Sequence, residues 1–160
     1  MLQRAEATLQ DPQVSVQDQF YALPDAAKAA FEVGRYDNAA RYARRLLELA
    51  PRFKEDPNYG NAIHDAHMVL GRLALHRDDL GAAARELQEA ANTPGSMSIA
   101  STGPNMSLAN DLLHRGERRA VLAYLEKIKR IWPAGVLILQ KWIDLIKNNQ
   151  LPDFGANLQF

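Results

Sequence analysis

His64 and His67, in the run His64-Asp65-Ala66-His67, are the residues of this 160-residue chain best spaced to hold a metal. On a helix, two imidazoles three residues apart with a carboxylate between them can share a divalent cation, as in a small metal-dependent hydrolase. A third ligand is not in view, because His76 and His114 stand elsewhere in the pattern. The expectation for the pair is a surface or helix-capping role, with no metal and no cofactor. The chain has no cysteine, which removes thiolate metal sites, disulfides and Cys nucleophiles. Seryl-nucleophile motifs and phosphate-cradling loops are absent; the Ser-rich stretch from Gly95 to Gly103 lacks a following lysine. No catalytic residue is expected. Two cationic runs remain: Arg41, Arg44 and Arg45 near Glu48, and Lys127, Lys129 and Arg130. Both read as solvated helix faces, the second suited to an acidic partner.

The composition indicates the scaffold. The 17.9 kDa chain carries 19 basic and 19 acidic residues, and its halves carry −2 and +2. Neither half is basic enough to make nucleic acid the expected partner. The longest undiluted apolar run, Val136 to Leu139, is far too short to span a membrane. The start, Met-Leu-Gln-Arg-Ala-Glu, lacks the layout of a secretion signal, so a soluble cytoplasmic protein is expected. Alanine is abundant, at 25 residues, and no segment alternates apolar and polar for a strand's length. The expected class is all-α.

Apolar spacing and breakers then divide the chain. Residues 1–14 read as a frayed helix or loose arm, and 15–150 as the helical domain. Pro24 is expected to open the first main helix, because proline suits a first turn. Gly34, Pro51, Asp78, Pro94, Gly116 and Pro133 mark breaks. Residues 93–103 read as a mobile loop, with Pro104 opening the next helix. A last helix covers 136–149, and 151–160 form an irregular tail. In that tail Phe154, Leu158 or Phe160 is expected to fold back and plug an apolar gap.

Three turns share one internal spacing. Gly34-Arg35-Tyr36-Asp37-Asn38-Ala39 aligns with Asp78-Asp79-Leu80-Gly81-Ala82-Ala83 and with Gly116-Glu117-Arg118-Arg119-Ala120-Val121. Seven residues before each turn stand Ala27, Gly71 and Ala109, all small. Pro51 and Pro133 each follow their turn's Ala39 or Val121 by the same interval, and Pro94-Gly95 falls at the corresponding place. The pattern resembles the tetratricopeptide repeat, a helix–turn–helix unit of about 34 residues. The resembling pairs are 20–53, 64–97 and 102–135; in the third, Arg118 replaces the family's turn aromatic and Val121 its alanine. The resemblance implies an α-solenoid of three helix pairs with 136–149 as a capping helix. Such units cannot bury their apolar faces alone and must stack.

The resemblance also implies a concave face lined by the first helix of each pair, which holds a peptide or helix of a partner protein. Transferred onto this chain, the inward positions are Tyr21, Lys28, Phe31 and Glu32, then Asp65, Met68, Arg72, Leu75 and His76, then Met106, Asn110, Leu113 and His114. Lys28, Arg72 and Asn110 recur at one position and would form a polar ladder suited to ligand carboxylates or carbonyls. An interaction module, whether adaptor, regulator or immunity-type inhibitor, is the expected function. One alternative is a homo-oligomeric subunit joined through an exposed patch of Trp132, Trp142, Ile143 and Ile146; another is the His64/His67 hydrolase. Asp153-Phe154-Gly155 spells a kinase metal-binding triplet, but every companion motif is missing, and a turn is expected there.

Overall fold

The computed structural model describes residues 1–158. Among these there are nine α-helices and no strand: α1 (Leu2–Gln10), α2 (Val16–Glu32), α3 (Tyr36–Leu49), α4 (Tyr59–His76), α5 (Leu80–Ala90), α6 (Met97–Thr102), α7 (Ser107–His114), α8 (Arg118–Ile128) and α9 (Val136–Lys147). No helix among the described residues is long and apolar enough to cross a membrane.

One turn is built four times, the fourth after α9 at Asn149 (φ 59°), where the Gln150 amide reaches the Leu145 carbonyl at 2.9 Å. Helices α2, α4 and α7 each end on a left-handed residue: Gly34 at φ 77°, Asp78 at φ 62° and Gly116 at φ 85°. The next amide then reaches back to close the helix: Arg35 to the Ala30 carbonyl, Asp79 to Ala74, and Glu117 to Leu112, all at 2.8–3.0 Å. Glycine enters this conformation without a Cβ penalty, and aspartate is among the few other residues that tolerate it. The turns at Gly34, Asp78 and Gly116 send the chain straight into a following helix, giving the successive pairs α2/α3, α4/α5 and α7/α8, whereas the one at Asn149 leads into the tail. Short 3₁₀ turns at Ala50–Phe53 and Pro133–Gly135 end α3's run and open α9, so Pro51 and Pro133 act where expected.

The helices pack as consecutive neighbours. α2 lies against α3 and α4, α4 against α5 and α7, α5 against α7 and α8, and α8 against α9. Ala27, Ala39, Ala83, Ala109 and Val121 are buried. Gly71 sits where a Cβ would come within 2.2 Å of Leu108 and 3.1 Å of the Glu86 Cβ, so the α5 and α7 flanks both press on it. Two apolar clusters result. One holds α1 to α3 with Ala62, Ala66, Val69 and Leu73 of α4. The other holds α5 to α9 with Met68 and Ala74 of α4.

Four local expectations are corrected. Pro24 lies inside α2 rather than at its start. It forfeits the bond to the Phe20 carbonyl, but the Ser15 hydroxyl caps the helix at the Asp18 amide (3.0 Å), and buried Phe20 and Leu23 hold the first turns down. Residues 1–14 are not a loose arm. α1 is held by buried Ala5 and by Glu6, which accepts from Tyr42 (3.0 Å) and Arg35 (3.2 Å) on and beside α3. The expected mobile loop contains α6 and is pinned. The Thr93 hydroxyl donates to the Gly60 carbonyl (2.6 Å), Ser96 to Asn61 (2.6 Å), and Arg130 to the Ala91 and Thr93 carbonyls. Finally, α7 opens at Ser107, not Pro104, because the Met106 amide is taken by the Asn157 carbonyl of the tail (2.7 Å). Within that tail Phe154 is the plug, edge-on to Trp142 with ring centres 4.9 Å apart. Leu158 is exposed, and Phe160 lies outside the described residues.

Candidate functional site

Helices α2, α4 and α7 present one shared polar face, and ion pairs stitch it together. Lys28 of α2 meets Asp65 of α4 at 3.0 Å. Arg72 of α4 reaches both Glu32 of α2 (3.0 Å) and Asp111 of α7 (3.3 Å), and its guanidinium lies 4.5 Å above the Phe31 ring. Asp78 and Arg115 pair beyond them. The Tyr21 hydroxyl donates to Asp56 at 2.5 Å, and the His76 ring lies tilted by 39° against Tyr36 with ring centres 4.0 Å apart. Two cavities open on the face. One of about 280 Å³ lies between Tyr21, Lys28, Asn61 and Asp65; another of about 340 Å³ lies between Phe31, Arg72, Leu75 and His114.

The structure thus brings Tyr21, Lys28, Phe31, Asp65, Arg72, His76 and His114 to that face. Asn110 is half-buried and lines neither cavity, with its carbonyl 2.9 Å from His114 Nδ1. Met68, Met106 and Leu113 are not on it; all three are buried in the C-terminal cluster. Met68 stands about 60° round α4 from Asp65, on the flank covered by α7, whereas Arg72 falls almost above Asp65. Lys28, Arg72 and Asn110 do not line one continuous polar ladder. Lys28 and Arg72 line separate cavities, and each is already matched by carboxylates of this chain. Asp111 and Arg115 were missed by sequence reasoning. Asp111 directly follows Asn110, and Arg115 stands one helical turn on from Asp111, which was the available signal.

The two histidines diverge. His64 Nε2 lies 3.1 Å from the Tyr124 hydroxyl of α8, and His67 Nδ1 lies 2.7 Å from Glu86 of α5. Among the described residues no three His, Cys, Asp or Glu side chains are grouped to hold a metal ion. Nor is His64 a surface or capping residue, since it is almost wholly buried. Burial pushes the Tyr124 hydroxyl far above the ordinary tyrosine range, so it keeps its proton. His64 Nε2 is the partner of that hydroxyl, and His64 Nδ1 faces Asp65 at 3.6 Å. Lys28, Asp65, His64 and Tyr124 therefore form a polar chain from the face to the core. It ends on a hydroxyl with no exposed surface, so it offers a substrate no nucleophile and serves to tie α2, α4 and α8 together.

The Asp65 carboxyl feels opposed effects. Burial works to raise its pKa, but the His64 hydrogen bond and the Lys28 charge outweigh burial and hold it below 3.8. A depressed carboxyl stabilises the fold above its unfolded pKa, and that stabilisation is lost as pH falls through the folded value. Asp65→Asn is expected to cost roughly 1–3 kcal/mol at pH 7, because partly buried partners lose a charged acceptor. Urea unfolding should show the gap to wild type narrowing below pH 4. A gap unchanged from pH 7 to pH 3 would contradict the ion-paired role.

The expected exposed patch at the C-terminal end is absent. Trp132, Trp142, Ile143 and Ile146 are buried against α8 and the tail. The first turn of α9 instead exposes Val136, Leu137 and Ile138, Leu137 at 87 %, beside Gln140, Lys141, Asp144 and Asn148. Compared with protein-family models, curated proteins and solved structures, the chain matches none.

Proposed function

We propose that this chain is a non-enzymatic protein-interaction module, built as a stack of three tetratricopeptide-like pairs capped by α9, that holds a peptide or helix of a partner on the face of α2, α4 and α7. The observation that carries the reading is the turn shared by Gly34, Asp78 and Gly116, each leading into a following helix. The reading is supported by α4 lying against both α2 and α7, as a continuous binding face requires. The module works as an adaptor, a regulator or an inhibitor that occludes its partner.

Because Lys28 and Arg72 are satisfied internally, a carboxylate clamp is not the recognition device. A ligand carboxylate would have to displace Glu32, Asp65 or Asp111, an exchange with little net gain. The partner segment instead sets an apolar side chain against Phe31, Leu75 and His114, and its backbone amides meet Asn110, one turn back from His114 on α7.

Display of a random peptide library on the immobilised chain tests the proposal. Selected peptides are expected to bind the double variant Asn110→Ala, His114→Ala about tenfold more weakly, a loss of ~1.4 kcal/mol. Binding to Arg119→Ala, on the exposed side of α8, should be unchanged. Peptides that ignore the double variant, or that depend on Arg119, would place recognition off this face and end the proposal.

A further inference from the structure

Gln19 and Leu23 lie about half a turn round α2 from Tyr21, on the side away from the polar face. With Leu9 and Gln10 of α1 and the Tyr42 to Arg45 stretch of α3 they line a cleft of about 520 Å³. Small-molecule sites fall in the range of ~300–1,000 Å³. The floor is apolar, with Leu23 and Tyr42 buried and Leu9 half-buried. The Tyr42 hydroxyl is turned to Glu6 and adds no free polar group to that floor.

The rim is cationic. Arg41, Arg44 and Arg45 face a single acid, Glu48. Arg45 is spent on Glu48 at 3.2 Å, and Arg41 donates to Asn38 while lying over the Tyr42 ring. Arg44 is exposed and has no carboxylate partner among the described residues. Unmatched positive charge thus stands beside a low-dielectric floor. A bare anion would leave the floor unused, and a neutral apolar molecule would leave Arg44 unmatched. We propose that this cleft binds a small amphipathic carboxylate, its aliphatic body laid on Leu9, Leu23 and Tyr42 and its head held by the two-pronged guanidinium of Arg44. The site is independent of the peptide face, because the two open on different sides of α2.

Isothermal titration with decanoate, kept below its micelle concentration, tests this, with acetate and decanol as the head alone and the body alone. The expected result is one decanoate per chain, bound at least about tenfold more tightly than either fragment. Arg44→Gln should weaken decanoate about tenfold and Leu9→Ser should weaken it too, each with an unchanged circular dichroism spectrum. Arg85→Gln, on exposed α5 surface, should bind as wild type does. Three results would each overturn the assignment: uptake of many decanoates per chain, no saturable binding up to millimolar concentration, or equal binding by wild type and Arg44→Gln.

Discussion

Gly60→Ala is expected to destabilise the fold by about 3 kcal/mol or more, a drop in Tm of roughly 6–12 °C for a chain this size. A Cβ at Gly60 would stand 1.8 Å from the Gly95 carbonyl oxygen and 2.4 Å from its carbon. These are backbone atoms, which cannot swing aside as a side chain can. The loop that carries them is fixed by the Thr93 bond to Gly60 itself and by Arg130. Relief requires moving the whole segment before α6 away from α4. Gly81→Ala is the matched comparison. Its Cβ would meet only the end of Arg85 at 3.5 Å and the Asp79 carboxylate at 3.7 Å, so the gain in helix propensity should stabilise the fold by up to ~1 kcal/mol. Thermal and urea unfolding of the two variants should therefore shift in opposite directions. A Gly60→Ala protein as stable as wild type would show that α4 and the Gly95 loop do not touch.

Trp142→Ala should cost about 3–5 kcal/mol, the range for emptying a buried aromatic site. Trp142 fills the gap between Trp132, at 5.9 Å, and Phe154, at 4.9 Å, and its indole N–H donates to the Asp153 carbonyl at 3.1 Å. Its loss removes the seat of the tail plug along with its own packing. Trp142→Phe keeps part of the packing and should cost less. Light scattering read beside urea unfolding separates this from a role between subunits. An interface residue would lower the assembled mass and leave each subunit's stability nearly intact. The buried position predicts the reverse: lowered stability, with the mass of the folded protein unchanged.

The turns were legible in the sequence because they depend on local backbone chemistry. A left-handed residue after a helix calls for glycine or, less often, aspartate or asparagine, and Gly34, Asp78 and Gly116 say so without reference to anything distant. Prolines 51 and 133 are read for the same reason. What was not legible depends on partners far along the chain. α1 is fixed by Glu6 reaching Tyr42, and the segment before α6 by Arg130. Pro24 misled because its cost is local, whereas the burial that offsets it is not. On the candidate face α2, α4 and α7 carry the ion pairs, but the rotation of α4 differs from the expected one. Met68 and Arg72 are four apart and share an apolar-polar spacing with Asp65, yet only Arg72 lies in register with it. Sequence alone also leaves open whether a cation is free, and here Asp65, Glu32 and Asp111 had to be placed before Lys28 and Arg72 could be seen as matched.

Helix α4 contributes to both apolar clusters, and among the described residues every substantial contact between α1–α3 and the later helices passes through it. This gives the chain two compartments in which to vary. Substitutions in opposite compartments that touch no common residue of α4 add in effect, while pairs such as Glu32 and Asp111, which share Arg72, are coupled. Changes on α4 have no such freedom. Ala66 and Val69 answer to one side and Met68 to the other, so an exchange that suits one compartment is judged again by the second. Over evolutionary time the flanks can be rewritten, while α4 is held in place from both directions.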